Sequence, residues 1–277
     1  MKVFLVPFLY LPYIANSQNL RSLVASPYIG FGAYSNNHVD VFSFQSNQAS
    51  LAQVKQASAG VYGEKRFLLN ELGFYDAVVA VPTGSGNFGL NANYYGFADY
   101  NESQLGLAYG RSLGSKVDLG IQFNYYAVRI AGYGNVSAVN FEIGTILHLT
   151  DHLNAGLRVY NPLSGKLGKD EKEKLASVYS AGFGYEPSEK FFVGLEIKKE
   201  ENKPPDVNAG FQYQFLAQLL MRLGVSAATS TIFVGFGFKW RSMRLDATAS
   251  YHPQLGITPG LLLAVGMPQK QASKSGN

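Results

Sequence analysis

Along most of the chain, apolar and polar residues alternate with a period of two. Val139, Phe141, Ile143, Thr145 and Leu147 share one face, with Asn140, Glu142, Gly144 and His148 on the other. Leu153, Ala155, Leu157 and Val159 repeat the pattern against Asn154, Gly156, Arg158 and Tyr160. Val207, Ala209, Phe211, Tyr213 and Phe215 do so against Asn208, Gly210, Gln212 and Gln214, and Met243, Leu245, Ala247 and Ala249 against Arg244, Asp246, Thr248 and Ser250. Successive side chains of a strand point to opposite faces, so this repetition predicts many strands, each with one apolar and one polar face.

A soluble sandwich and a membrane barrel both give that pattern, and the polar face separates them. It is rich in glycine here, at Gly120, Gly144, Gly156, Gly194, Gly210, Gly224, Gly235 and Gly237. A face toward water would carry Lys, Glu and Thr; small residues suit an interior that something else occupies. The apolar face is large and aromatic, with Tyr94, Phe191, Trp240 and Tyr251 near strand ends, where an interfacial girdle belongs. Arg158, Lys198, Arg222, Lys239 and Arg244 all fall on the polar face. Facing lipid, each would cost about 2–4 kcal/mol at mid-bilayer.

The reading is therefore all-β: a transmembrane antiparallel up-and-down β-barrel of about fourteen strands over residues 57–267. With both barrel ends in the periplasm, the inner turns are Thr83–Asn87, Gly114–Lys116, Thr150–His152, Pro187–Lys190, Leu216–Gln218 and Arg241–Ser242. The outer loops, expected to be longer, are Asp99–Ser103, Ala131–Val136, Asn161–Ala176, Glu200–Pro205 and His252–Pro259, with a short exception at Ala228–Thr231.

The ends read differently. Lys2, an apolar run from Val3 to Ile14 and the small residues Ala15 and Ser17 predict a signal peptide over residues 1–17. Residues 18–56 lack the strand period and contain a short possible helix from Gln48 to Val54; they are expected to form a plug in the lumen or, as the alternative, to pack beneath it, with Asn47, Gln48 and Leu51 as plug candidates. Residues 268–277 are a polar tail expected to be disordered.

Composition narrows the function. Charged residues make up only 15% against 47% hydrophobic, and the 30 glycines, 19 phenylalanines and 18 tyrosines suit aromatic strands and tight turns rather than a helical bundle. With no cysteine, disulfides and thiolate metal sites are excluded. The net charge of +4 comes without a basic, aromatic-interleaved block, so no nucleic-acid partner is expected. Gly84-Ser85-Gly86-Asn87-Phe88-Gly89 matches a dinucleotide fingerprint formally, but strand alternation resumes at Leu90 where a helix would have to open, so it reads as a hairpin turn. His148 and His152 lie about 13 Å apart on a strand, too far for one metal. Neither a cofactor nor an enzymatic activity is expected. The inward charges Glu142, Arg158, Glu196, Lys198, Arg222, Lys239, Arg244 and Asp246 are the candidate lumen network, read as ion pairs holding the plug or, alternatively, as a path for a polar solute.

The stretch Ser46-Asn47-Gln48-Ala49-Ser50-Leu51-Ala52 resembles the Asn-Pro-Ala-Gly-Leu-Ala element of the PorV/PorQ-like outer-membrane barrels of Bacteroidota, which are related to the FadL transporter fold. Ser58-Ala59-Gly60-Val61, Lys65–Leu68, Val81-Pro82-Thr83, Tyr100–Tyr109, Val159–Pro162 and Ala249–His252 are similar to that family in style. Gln48 and Ser50 stand where the family has proline and glycine, and the chain runs on past its last strand without a terminal aromatic residue. The resemblance implies an outer-membrane location with lipid neighbours, and first a docking or accessory subunit of a type IX secretion-like export or assembly complex. The alternatives are a FadL-like transporter of small hydrophobic molecules and a structural envelope protein. The transporter predicts a hydrophobic ligand, an apolar pocket beneath the outer loops and an interrupted wall strand, for which Gly96 is the candidate.

Overall fold

The computed structural model describes residues 31–163, 166–167 and 173–267. The predicted signal peptide, the polar tail and most of the Lys169–Lys174 charged run lie outside them. Sixteen strands follow in order: β1 (Ser58–Lys65), β2 (Gly73–Thr83), β3 (Gly86–Gly96), β4 (Tyr100–Leu113), β5 (Val117–Ile130), β6 (Gly134–His148), β7 (Leu153–Tyr160), β8 (Lys166–Leu167), β9 (Glu173–Lys174), β10 (Val178–Ser188), β11 (Phe191–Glu200), β12 (Asp206–Gln214), β13 (Leu219–Ser226), β14 (Thr231–Trp240), β15 (Met243–His252) and β16 (Gly256–Gly266). All but β8 and β9, which pair in the loop between β7 and β10, form one closed antiparallel barrel of fourteen strands. The seam joins β1 to β16, from Ser58 opposite Gly266 to Glu64 opposite Gly260. Closure leaves no unpaired strand edge, as a hydrocarbon surround requires.

The burial pattern is inside out for a soluble protein. Outward Leu105, Phe123, Val139, Phe236 and Leu261 are exposed, while inward Asn124, Glu142 and Asp246 are buried. An apolar belt around a polar interior is the lipid-facing surface of an outer-membrane barrel. Tyr94 and Tyr251 stand toward one rim, Phe191 and Trp240 toward the other, as two girdles.

At the rim carrying both barrel ends, the connections are the short turns 84–85, 114–116, 149–152, 189–190, 215–218 and 241–242. The opposite rim carries the two longest, 66–72 and 161–177, which marks it as the outer one. Three expected long outer loops prove short. Asp99–Ser103, Ala131–Val136 and His252–Pro259 contract to turns at 97–99, 131–133 and 253–255, because Gly96, Gly132, Gly134 and Gly256 take positive φ and let the strands run on to tight reversals. Gly96 therefore turns a hairpin and does not break the wall: β3 pairs with β4 without interruption from Asn87 to Gly96.

The core sits in the lumen. Residues 31–56 enter the inner half as three short 3-10 turns, Phe31–Tyr34, Ser43–Gln45 and Gln48–Gln53. Asn47 caps the last of them, its side chain accepting from the Ala49 N–H. Phe31, Tyr34, Phe42, Phe44 and Leu51 are buried against the wall.

Candidate functional site

The inner wall receives the plug at glycines. A Cβ on Gly120 would lie 2.3 Å from the Gln48 carbonyl carbon, on Gly144 2.2 Å from Asn47 Oδ1, and on Gly182 2.2 Å from the Tyr34 ring. Gly89 and Gly110 accept Leu51, and Gly194 and Gly210 accept Phe31. Polar contacts complete the seat. Asn47 Nδ2 donates to the Thr145 and Leu157 carbonyls of β6 and β7, each at 3.1 Å. Asn87 reaches back to the Leu51 and Val54 carbonyls at 2.5 and 2.9 Å.

Wall carboxylates take most of the remaining plug donors. Gln48 Nε2 donates to Glu142 (2.7 Å), Gln53 to Asp118 (2.7 Å), Gln45 to Asp76 (2.5 Å) and the Tyr34 hydroxyl to Glu196 (2.8 Å). Glu186 binds the Ser35 hydroxyl and the Asn36 and Asn37 N–H groups. Burial and the neighbouring Glu196 carboxylate push the Tyr34 phenol well above its ordinary range, so it stays a donor. Burial pulls His38, which contacts Gln212 at 2.8 Å, below the usual histidine value.

The eight charges picked out by alternation divide into groups. Arg158 grips Glu142 through Nε and Nη2 at 2.8 and 2.6 Å. Arg222 binds Asp246 at 2.9 Å and Gln212 at 2.7 Å. Arg244 lies 3.1 Å from Asp246 and donates to Asp40 of the plug at 2.7 Å. Lys239 joins this second group but bonds only neutral Gln214, at 3.2 Å. Glu196 serves the plug instead, and Lys198, half-buried opposite Asp206, makes no hydrogen bond with the described residues.

Several participants escape a reading by charge and period. Asp40 lies in the aperiodic plug. Asp118, Glu186 and the amides Asn91, Asn93, Gln104, Gln122 and Asn124, which join Asn140 in a ladder, sit on inward faces, where their alternation with largely apolar residues was the available signal. His148 is part of this wall, bridging Asp118 (2.8 Å) and Asn154 (2.9 Å), while His152 contacts the Glu186 carbonyl.

Polarity changes along the lumen axis. At the outer end inward positions of β2, β3, β5 and β6 form an aromatic and apolar cluster, Phe74, Tyr95, Tyr126, Val128 and Ala138, which includes Leu175 of the long outer loop and has the buried carboxylates Glu64 and Glu102 beside it. Arg66 lies over the Tyr95 ring at 4.8 Å and pairs with Glu64 at 2.9 Å. Glu102 accepts from Tyr100 and Tyr126 at 2.6 and 2.7 Å. At the inner rim a cavity of about 500 Å³ opens between the plug and β14–β16, lined by Val39, Val41 and Val54 on one side and Lys239 and Arg244 on another.

Among solved structures the chain is similar to the CymD monoaromatic hydrocarbon channel, with a TM-score of 0.63 and 11% identity over 87% of this chain and 99% of that one. The Pseudomonas putida toluene transporter TodX gives 0.60 and 9% over 83% and 95%. The Ralstonia pickettii toluene transporter TbuX gives 0.58 and 8% over 82% and 92%. No family model and no curated protein matches the sequence. At such identities the likeness is one of fold alone, the closed antiparallel barrel.

Proposed function

We propose that this chain is an outer-membrane channel that admits small, largely apolar molecules and passes them along the barrel axis to the periplasm. One observation carries the reading. Inward positions of β2, β3, β5 and β6 beneath the outer loops, which a water-filled pore would make polar throughout, include Phe74, Tyr95, Tyr126, Val128 and Ala138, and Leu175 of the long outer loop is buried in the same cluster. Such a cluster, parting around an apolar solute, desolvates it at the outer end, and the half-apolar cavity by the plug receives it at the inner end. The structures with the same fold include two named toluene transporters, which favours the same solute class. The strands pair continuously along the wall, apart from one shift between Tyr185 and Ser188 at the inner rim, which favours an axial route over a side exit. The narrower PorV/PorQ resemblance and a docking role in an export complex gain no support from these neighbours.

The test is toluene uptake by whole cells of a strain stripped of its own hydrocarbon channels and expressing this chain. Uptake should exceed that of the empty strain, and Leu175→Asp should reduce it by charging the outer apolar cluster. Uptake equal to the empty strain, together with stoichiometric co-purification of a larger translocation barrel from native membranes, would reverse the reading.

A further inference from the structure

The inner-rim cavity holds an unbalanced charge. Three cations, Arg222, Lys239 and Arg244, gather around two carboxylates, Asp40 and Asp246. Both carboxylates are engaged by the arginines: Asp246 by Arg222 and Arg244, Asp40 by Arg244 at 2.7 Å with Arg222 at 3.8 Å. Lys239 is left facing the neutral amide oxygen of Gln214. Among the described residues the cluster thus carries one positive charge more than it answers. A half-buried ammonium without a counter-charge is costly to hold, and the low-dielectric surround strengthens its attraction for an anion.

The rest of the cavity adds the other half of a ligand. Val39, Val41 and Val54 of the plug line the cavity together with Lys239 and Arg244 of the wall, and Ala264 sits beside Arg244 on the neighbouring strand. Arg241 also borders the cavity, where its charge draws anions toward it. A volume of about 500 Å³ suits a ring-sized molecule.

We propose that this cavity is a binding site for a compact organic monoanion, an aromatic or short aliphatic carboxylate. Its carboxylate sits on Lys239 and Arg244, and its apolar body lies against Val41 and Val54. As a station on a transport route the site rests on the channel reading above; as a binding site it stands alone.

The test uses the detergent-solubilised full chain and two fluorine-labelled probes of similar shape, 4-fluorobenzoate and the neutral 4-fluorobenzyl alcohol, followed by 19F NMR titration. The benzoate should bind at least about tenfold more tightly than the alcohol, as a charge-assisted contact supplies. Lys239→Gln should remove that preference and leave the alcohol unaffected. Gln214→Glu, which gives Lys239 a counter-charge within the protein and keeps the lysine, should remove it too, so the outcome does not hang on one variant folding. Equal affinity for the two probes, or a preference that survives both variants, overturns the proposal. Benzoate binding without toluene uptake in cells would sink the channel reading and leave the site standing; uptake without benzoate selectivity would do the reverse.

Discussion

Gly120 marks a place where the wall has no room for a side chain, since a Cβ there meets the backbone of Gln48 and Ala49 at 2.3–2.5 Å. Gly120→Val should lower stability by about 1–3 kcal/mol, the range for overpacking a filled interior, because backbone on the far side cannot yield as a flexible side chain would. Gly84, in a turn with nothing within 4 Å, is the matched control, and Gly84→Ala should be silent. The midpoint of the heat-induced mobility shift in gels reads both. Arg158 offers a second test at this scale. Replacing it with Leu leaves Glu142 buried without its cation, a loss of about 3–5 kcal/mol when one partner of a buried pair is removed. The Glu142→Gln/Arg158→Leu double variant should recover most of it in the same assay.

At the scale of elements, the plug is the part whose placement owes most to long-range contacts. The contact between Asp40 and Arg244 spans 204 positions of sequence. Burial alone would raise the Asp40 carboxyl, but Arg244 and then Arg222 outweigh it and hold the group below its ordinary value of 3.8. With the native value depressed, the stability this contact contributes is fully present at neutral pH and down toward the ordinary carboxylate range. It is lost as pH falls through the native value. The near-UV circular dichroism of the buried plug tyrosine should therefore change in an acid step below pH 3.8. Asp40→Asn should abolish that step, and a step unchanged in the variant would assign the acid sensitivity elsewhere. Nothing local announces Asp40, because the plug has no period to betray which side chains meet the wall. Asn47 was legible as a plug candidate within the Ser46–Ala52 element, whereas its hold on the β6 and β7 carbonyls was not.

For the whole molecule, alternation was enough to recover the wall, since lipid outside and polar groups inside impose one rule on every strand. It placed Arg222, Arg244 and Asp246 on the right face and left their partners open, because period says which way a side chain points and not what it meets. Loop lengths were misjudged where glycine carries the reversal, as at Gly96 and Gly256, since a positive φ is invisible in a hydropathy pattern. The clean outer face yields its own prediction. Leu261→Arg, in the middle of the belt, should cost about 2–4 kcal/mol in reversible unfolding from lipid vesicles. An arginine placed among the exposed rim residues, at Ser137 at the outer end of β6, should cost under about 1 kcal/mol.

The seam between the first and last wall strands has a consequence for how the molecule is made. Residues 31–56 run directly into β1, and β1 finds its second neighbour only when β16 exists. Tyr34 and Phe31 lie in hollows over Gly182 and Gly194, on strands halfway round the circumference. A finished cylinder whose seams are hydrogen-bonded admits such rings only end-on, past the inner-rim turns. Seating them is easiest while the sheet is still an open, curling ribbon, the wall then wrapping round the leading segment. Folding is thus a matter of order as well as affinity: the glycine hollows form a mould, and the final zipping of β1 to β16 locks in whatever the mould has already received.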